Sequence, residues 1–147
     1  MKDHFKHQIL LVEDNLEHAE LIMATLEGHE LAKHIKHIED GRDALDYLYT
    51  CATESTGGSK AFPELILLDL RLPRVDGLTI LEDIKNNYLL RNIPVVVLTT
   101  SQADQDISKA YEFHVNSYLI KPFDFQIFAQ MLSEIGKYWL LWNQRTY

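Results

Sequence analysis

The chain has 147 residues, of which 46% are hydrophobic and 24% are charged, so it fits one folded domain and excludes a fibrous repeat or a largely disordered chain. The 22 acidic residues outnumber the 14 Lys and Arg and give a net charge of −8. This balance argues against nucleic-acid binding, which requires clustered positive charge.

Five short apolar runs predict β-strands. In chain order they span residues 8–12, 33–38, 65–68, 95–98 and 117–120. All except the second lack regular alternation with polar residues, which is typical of strands that are covered on both faces in a parallel sheet.

Amphipathic stretches follow each strand and predict five helices. Their starting residues, in chain order, are Asn15, Asp40, Asp76, Ser101 and Asp124. Gly28 ends the first helix, and Ser101 with Asp104 fits a capping box at the start of the fourth. The last helix has an apolar stripe formed by Phe128, Met131, Leu132, Ile135 and Trp139. Five strand–helix pairs predict a doubly wound (βα)5 domain of the α/β class, with right-handed crossovers.

The chain is interpreted as one domain. Residues 53–59 form a short polar stretch that predicts a flexible loop, and no linker between domains is visible. The single cysteine, Cys51, excludes an internal disulfide bond and a cysteine-built metal site. No signal sequence or membrane-spanning run is present, so we expect a cytoplasmic protein that makes no membrane contact.

Charged and hydroxyl side chains follow the predicted strands. Glu13 and Asp14 follow the first strand, Asp69 the third, Thr99 the fourth and Lys121 the fifth. Ligands of open parallel sheets bind beyond the carboxyl ends of the strands, so these side chains are expected to meet there. Three clustered acids would repel one another without a cation, and carboxylate oxygens suit Mg²⁺. A lysine ammonium beside them suits a phosphoryl oxygen.

Four motifs at these strand ends resemble the bacterial response-regulator receiver domain. They are Glu13-Asp14, Asp69-Leu70-Arg71-Leu72-Pro73-Arg74-Val75-Asp76-Gly77, Thr99-Thr100-Ser101 and Tyr118-Leu119-Ile120-Lys121-Pro122-Phe123. The resemblance runs from about residue 9 to residue 142. It implies a CheY-like, flavodoxin-like parallel sheet of five strands in the order 2-1-3-4-5. It also implies that residues 1–147 form a single receiver domain with a core of about 8–142 and no output domain.

The resemblance implies a phosphoacceptor and a metal site. Asp69 would accept the phosphoryl group, and Asp14, Asp69 and the backbone carbonyl of Arg71 would hold Mg²⁺, with Mn²⁺ as an alternative. Glu13 would support the metal through water.

The resemblance also implies a switch. Thr99 and Lys121 would bind the phosphoryl group, and Tyr118 would be the aromatic residue that changes position. The Lys121–Pro122 peptide bond would be cis. His114 departs from the family pattern, which places glycine there, so this turn needs another left-handed or looser closure.

More narrowly, the chain resembles the small single-domain response regulators that work with cyanobacterial-type phytochrome histidine kinases. The supporting residues are the segment 95–101, Val115-Asn116 and the aromatic tail around Trp139. The implied function is a two-component phosphorelay in which Asp69 accepts a phosphoryl group from a kinase phosphohistidine. The receiver catalyses transfer and hydrolysis only on itself, so it is not an enzyme, and its output is contact with an unidentified downstream protein.

Three alternatives have different requirements. A phosphatase of the haloacid-dehalogenase type needs a second Asp two positions after Asp69, where this chain has Arg71. A flavodoxin-type flavin module needs a first loop that cradles phosphate, and Glu13 and Asp14 would repel phosphate there. A receiver-like module that binds partners without phosphorylation stays open, because all site residues can be present yet unused.

The C-terminal aromatic segment predicts a contact surface. Trp139 belongs to the core stripe, whereas Phe125, Tyr138, Leu141 and Trp142 lie outside it. Because exposed aromatic patches usually mark interfaces, we expect a homodimer through the face that contains the strand of Tyr118 and the last helix.

Overall fold

The computed structural model describes residues 7–54 and 62–144. Its strands are β1 (His7–Val12), β2 (Ala32–Ile38), β3 (Leu65–Leu68), β4 (Val95–Thr99) and β5 (Ser117–Ile120). Its helices are α1 (Leu16–Gly28), α2 (Gly41–Glu54), α3 (Gly77–Asn86), α4 (Asp104–Glu112) and α5 (Phe125–Gly136), and a π-helical segment, Lys137–Trp142, extends α5. Of the predicted loop at 53–59, Thr53 belongs to α2 and positions 55–59 lie outside the described residues.

The strands form one parallel sheet in the order β2-β1-β3-β4-β5, which confirms the expected fold class and strand order. Every residue of β3 and β4 is buried, as their unbroken apolar sequences predicted. These two strands, which lead to Asp69 and end at Thr99, are therefore covered on both faces.

Two apolar layers cover the sheet. Alternate side chains of β1 point to opposite faces, so Leu10 and Val12 belong to one layer, while Ile9 and Leu11 belong to the other. The first layer packs against α2, α3 and α4, and the second packs against α1 and α5. The helices α1 and α5 are thus neighbours on one face, and both begin at the carboxyl edge of the sheet.

Four predicted helix starts are confirmed as side-chain caps, among them Asp40, whose carboxylate accepts a 3.1 Å hydrogen bond from the Asp43 amide in the first turn of α2. The carboxamide of Asn15 accepts a hydrogen bond from the His18 amide, and the carboxylates of Asp76 and Asp124 cap α3 and α5 in the same way. Because these caps fix the first turns of the helices, they also fix the side chains that the helices present at the strand ends.

The predicted capping box of α4 is wrong. Ala103 is the N-cap of this helix, and no side chain caps it. The hydroxyl of Ser101 is instead engaged with Asp106, to which it donates a hydrogen bond of 2.6 Å. The helix consequently begins two residues later than the capping box predicted.

The predicted stripe of the last helix is confirmed, because Phe128, Leu132 and Ile135 are buried and both Met131 and Trp139 are partly buried against the same core. Beyond Gly136 the chain winds as a π-helix, which changes the angle between successive side chains. Leu140 is buried as a result, while Trp139 is partly buried and packs at the edge of the core. Tyr138, Leu141 and Trp142 are exposed, as expected.

Within the two described segments of the chain, no helix is both long and apolar enough to cross a bilayer.

Candidate functional site

The acidic residues meet because β1 and β3 are adjacent and parallel. Val12 and Leu68 are paired in the sheet, so the residues that follow them leave the sheet side by side. The Asp69 amide still donates to the Val12 carbonyl at 3.0 Å, and the Glu13 amide donates to the Ile38 carbonyl at 3.0 Å. Backbone hydrogen bonds therefore fix Glu13 and Asp69 at the carboxyl edge.

Three carboxylates form a cluster at this edge. One oxygen each from Glu13, Asp14 and Asp69 lies within 4.8 Å of the others. Glu13 and Asp69 are buried and Asp14 is exposed, so the cluster opens to solvent on the side of Asp14. A set of oxygen ligands with one open side suits a hard divalent cation that keeps part of its hydration shell.

Lys121 is the cation that faces this cluster in the structure. Its Nζ lies 2.7 Å from Glu13 Oε1 and 3.1 Å from Asp69 Oδ2, and its side chain is only 2% exposed. Its backbone amide donates to the Thr99 carbonyl at 2.8 Å, which holds the start of the loop after β5 against the end of β4. The lysine offsets part of the repulsion between two buried acids.

Burial gives Glu13 an unusual protonation equilibrium. Desolvation, followed by the negative charge of Asp69, raises the pKa of Glu13 to about 7, although Lys121 acts in the opposite direction. The other Glu13 oxygen, Oε2, accepts a hydrogen bond of 3.1 Å from the Asn15 amide. The site therefore contains more negative charge than the Lys121 ammonium alone neutralises.

His18 is a site residue that the sequence reasoning missed. Its Nδ1 lies 2.9 Å from Lys121 Nζ, and its ring lies at the start of α1. Burial and then the charge of Lys121 lower the pKa of His18. One signal was available: His18 lies three residues after the predicted cap Asn15, in the first turn of a helix that begins at the site.

The loop after β3 depends on Gly77. A Cβ atom at this position would lie 2.2 Å from the Asp69 carbonyl oxygen and 2.7 Å from the Leu70 Cα, distances that a real side chain cannot adopt. The Gly77 amide donates to the Leu70 carbonyl at 2.8 Å, and the Leu70 amide donates to Asp69 Oδ1 at 2.7 Å. The first residue of α3 therefore supports the backbone from which Asp69 projects.

A second hydrogen-bonded network connects the loops after β3 and β4. Thr99 is fully buried, and its hydroxyl accepts from the Ser101 amide at 3.3 Å. Asp106 accepts from both the Ser101 hydroxyl and the Arg71 guanidinium, at 2.6 and 2.5 Å. The Tyr118 hydroxyl donates to the Ser101 carbonyl at 3.0 Å. The two residues expected to switch, Thr99 and Tyr118, thus contact the same residue, Ser101.

The Lys121–Pro122 bond corrects one expectation. The described residues contain no cis peptide bond, so this bond is trans. The lysine reaches Asp69 nonetheless, because its backbone amide is hydrogen-bonded to Thr99 at the end of β4 and its long side chain spans the remaining distance. Arg71 lies in the loop after Asp69, as expected, and the metal-binding role of its carbonyl stays a prediction.

Comparison with known proteins gives a consistent result. Residues 9–133 match the model of the response regulator receiver domain. The chain is 51% identical to the probable methanogenesis regulatory protein FilR2 of Methanothrix harundinacea, over 92% of this chain and 85% of that protein.

Two response regulators of known structure are also similar. The response regulator Rcp1 of Synechocystis is 38% identical over 90% of this chain and 88% of its own length, and its Mn²⁺-bound crystal structure gives a TM-score of 0.84 over 96% and 99% of the two chains. The phosphorylated cyanobacterial phytochrome response regulator RcpA superposes with a TM-score of 0.87 at 35% identity, covering 97% of this chain and 99% of that one.

Proposed function

Because the chain belongs to the response regulator receiver domain family, we propose that it works in a two-component phosphorelay and accepts a phosphoryl group on Asp69 from the phosphohistidine of a sensor histidine kinase. The observation that carries this proposal is that Asp69 belongs to a cluster of three acids and contacts a buried lysine. The cluster can hold a cation, and Lys121 offers a second positive charge to the same carboxylate.

The transfer step exchanges one bond to phosphorus for another. An Asp69 carboxylate oxygen forms a bond to phosphorus while the phosphorus–nitrogen bond of the donor breaks, and the electron pair of that bond returns to the imidazole nitrogen. Hydrolysis later replaces the Asp69 oxygen by that of water and releases inorganic phosphate. Response regulators are not enzymes with a separate substrate, and we assign both steps to Asp69 itself.

Lys121 and Thr99 are the residues proposed to hold the transferred group. The negative charge that develops on the phosphoryl oxygens needs fixed positive partners, and positioning with charge neutralisation supplies most of the catalysis in phosphoryl transfer. Lys121 already contacts Asp69, so it would meet a phosphoryl oxygen there after a small movement. Thr99 would donate its hydroxyl to another oxygen.

Asp14, Asp69 and the Arg71 carbonyl are proposed to hold Mg²⁺, or Mn²⁺ in its place, and Glu13 is proposed to support the ion through water. The three carboxylates fit such an ion because their oxygens lie close together and one side of the cluster is open. When bound, the ion neutralises charge on the phosphoryl oxygens. Support comes also from Rcp1, whose structure was solved with Mn²⁺.

Phosphorylation of the protein by a small donor tests this function. Wild type incubated with phosphoramidate and Mg²⁺ should gain one phosphoryl group by intact mass spectrometry, and Asp69→Asn should gain none. Asp83→Asn is a matched control, because the Asp83 carboxylate lies on α3 and accepts a hydrogen bond from the Tyr49 hydroxyl. Labelling of Asp69→Asn to the wild-type level would exclude Asp69 as acceptor. Absence of labelling in wild type would favour a module that binds partners without phosphorylation.

The kinase is proposed to dock on the first turns of α1 and α5. A phosphohistidine can reach Asp69 only across this edge, and Leu16, Phe123 and Phe125 expose apolar side chains there. Phe123→Ala should therefore slow phosphotransfer from the kinase, while labelling by phosphoramidate stays unchanged. An equal loss with both donors would place Phe123 in the reaction site instead.

Two sensor classes compete as the phosphodonor. The similarity to Rcp1 and RcpA favours a phytochrome-type kinase, whereas the 51% identity to FilR2 favours a sensor in methanogenesis regulation. Phosphotransfer profiling against one phosphorylated kinase of each class should separate them, because cognate pairs transfer fastest.

The output is proposed to be a protein contact made by the face that contains β5 and α5, with a second copy of the chain as its first occupant. Tyr138, Leu141 and Trp142 are 53%, 59% and 74% exposed on the extension of α5. Analytical ultracentrifugation with and without beryllofluoride should detect a dimer that Leu141→Asp weakens. A monomer under both conditions would contradict self-association and favour a downstream protein as the partner of this surface.

A further inference from the structure

The Lys121 ammonium has three hydrogen-bond partners, two carboxyl groups and one imidazole. A lysine ammonium has three protons to donate and no lone pair to accept. Its contacts are Glu13 Oε1 at 2.7 Å, His18 Nδ1 at 2.9 Å and Asp69 Oδ2 at 3.1 Å. His18 Nδ1 must therefore accept, and the ring proton must be on Nε2.

The His18 ring is held in place from two directions. Its backbone amide donates to the Asn15 side chain at 3.0 Å, which fixes the first turn of α1. The ring makes edge-on contacts with Phe125 and with the fully buried Phe128, at centroid distances of 6.2 and 6.0 Å. An imidazole with so little freedom can serve as a fixed acceptor.

The three contacts of Lys121 are not equivalent during the reaction. Glu13 and Asp69 belong to the carboxylate cluster proposed to hold the cation, and Asp69 loses a negative charge from its own oxygens when it is phosphorylated. The contacts of Lys121 with Glu13 and Asp69 therefore weaken when the cation is bound and Asp69 is phosphorylated. The hydrogen bond that Lys121 donates to His18 has no such dependence, because His18 lies outside the cluster.

We propose that His18 is a positioning residue that anchors the Lys121 ammonium over Asp69 through a Lys121 Nζ to His18 Nδ1 hydrogen bond, so that the remaining protons of the ammonium point at the phosphoryl group. This role rests on the proposed function of Asp69 and extends it by one residue. His18 does not touch the phosphoryl group itself, and it acts through Lys121.

Three substitutions at His18 test the anchor. In His18→Asn the side-chain oxygen can occupy the place of Nδ1, whereas the longer amide of His18→Gln reaches the place of Nε2. His18→Phe keeps the ring contacts with Phe125 and Phe128 and removes the acceptor. The rate of labelling by phosphoramidate at saturating Mg²⁺ should fall roughly tenfold in the Phe and Gln variants and stay within about twofold in the Asn variant.

Two further measurements separate positioning from a general structural effect. The Mg²⁺ affinity and the donor concentration at half-maximal rate should stay at wild-type values in all three variants, because the anchor acts on the rate at saturation. In wild type, ¹⁵N chemical shifts of the His18 ring should show the proton on Nε2.

The outcomes are distinct. A wild-type rate in His18→Phe, or an Asn variant as slow as the Gln variant, would overturn the anchor while leaving Asp69 as phosphoacceptor. Wild type that is not labelled at all would overturn the proposed function itself. If His18→Phe fails to fold, the comparison between the Asn and Gln variants still decides, and a ring proton on Nδ1 would exclude the proposed hydrogen bond.

Discussion

The Tyr118 hydroxyl donates a 3.0 Å hydrogen bond to the backbone carbonyl of Ser101, the residue whose amide donates to the Thr99 hydroxyl. Burial raises the pKa of Tyr118, which keeps this hydroxyl protonated and able to donate. A phosphoryl group that attracts the Thr99 hydroxyl would compete with the Ser101 amide. Movement at Thr99 is thereby coupled to the hydrogen bond that holds Tyr118.

The first prediction concerns this coupling. Tyr118→Phe removes the hydroxyl that favours the unphosphorylated arrangement, and one such hydrogen bond contributes about 1 kcal/mol. A phosphoryl mimic such as beryllofluoride shifts the equilibrium because it binds the activated state better than the unphosphorylated one. Destabilising the unphosphorylated state therefore tightens its binding. Tyr118→Phe should therefore bind beryllofluoride roughly fivefold more tightly than wild type in a fluorescence or NMR titration.

Tyr111→Phe is the control for that titration, since Tyr111 is an exposed tyrosine of α4. It should bind beryllofluoride as wild type does. Weaker binding by Tyr118→Phe would mean that the hydroxyl stabilises the activated state rather than the resting one.

The second prediction concerns the turn after α4. His114 has a φ of 67°, so it adopts the left-handed conformation that closes this helix, with its amide bonded to the Tyr111 carbonyl at 3.0 Å. This conformation costs a residue other than glycine about 1 kcal/mol. His114→Gly should raise the free energy of unfolding by roughly 0.5 kcal/mol, because the greater entropy of unfolded glycine offsets part of the gain.

Urea denaturation of His114→Gly and His114→Ala measures this difference. Alanine has a Cβ atom and incurs a left-handed penalty as histidine does, so it should not be more stable than wild type by more than a few tenths of a kcal/mol. If alanine stabilises the protein as much as glycine does, the gain comes from removing the histidine side chain and not from the backbone.

The elements whose physics is local were predictable from the sequence. Unbroken apolar runs identified β3 and β4, and an Asp or Asn before an amphipathic stretch identified the caps of four helices. Because the carboxyl ends of parallel strands share one edge, the grouping of Glu13, Asp14 and Asp69 followed from the strand assignment.

Features that depend on tertiary contacts were not predictable. Ser101 fits a capping pattern, yet its hydroxyl binds Asp106, whose charge is a stronger partner than a helix amide. Leu140 became buried only because the helix changes its winding after Gly136. His18 has no motif of its own, and its contact with Lys121 joins residues 103 positions apart in the chain.

The third prediction concerns pH and Lys85. Its ammonium donates to the carbonyls of Arg91 and Ile93 and to the Asn116 side chain, at 3.1, 3.0 and 2.9 Å. Burial lowers the pKa of Lys85 from 10.5 to about 8. Between about pH 8 and pH 10.5, Lys85 binds more protons in the unfolded chain than in the folded protein. The contribution of Lys85 to the free energy of unfolding therefore increases as the pH rises through this range.

Lys85→Met isolates that contribution, because all other groups that titrate in the same range are shared with wild type. Urea denaturation of both proteins near neutral pH and near pH 10 should show wild type gaining stability relative to the variant. A difference that stays constant with pH would mean that the three hydrogen bonds keep the Lys85 pKa near its ordinary value.

The fourth prediction concerns Lys121 and the acids that it pairs with. Lys121→Met leaves Glu13 and Asp69 buried without their cation, and removing one partner of a buried ion pair costs about 3 kcal/mol. The variant should lose about that much free energy of unfolding in EDTA. Millimolar Mg²⁺ should stabilise the variant more than wild type. In the variant the ion replaces the positive charge that the Lys121 ammonium already supplies in wild type.

Lys137→Met is the control, since Lys137 is an exposed lysine on the extension of α5. It should match wild type both in EDTA and in Mg²⁺. Adding Asp14→Asn to Lys121→Met should abolish the extra stabilisation by Mg²⁺, because Asp14 completes the cluster at its open side. Equal stabilisation of Lys121→Met and wild type by Mg²⁺ would show that the lysine and the metal do not share the same carboxylates.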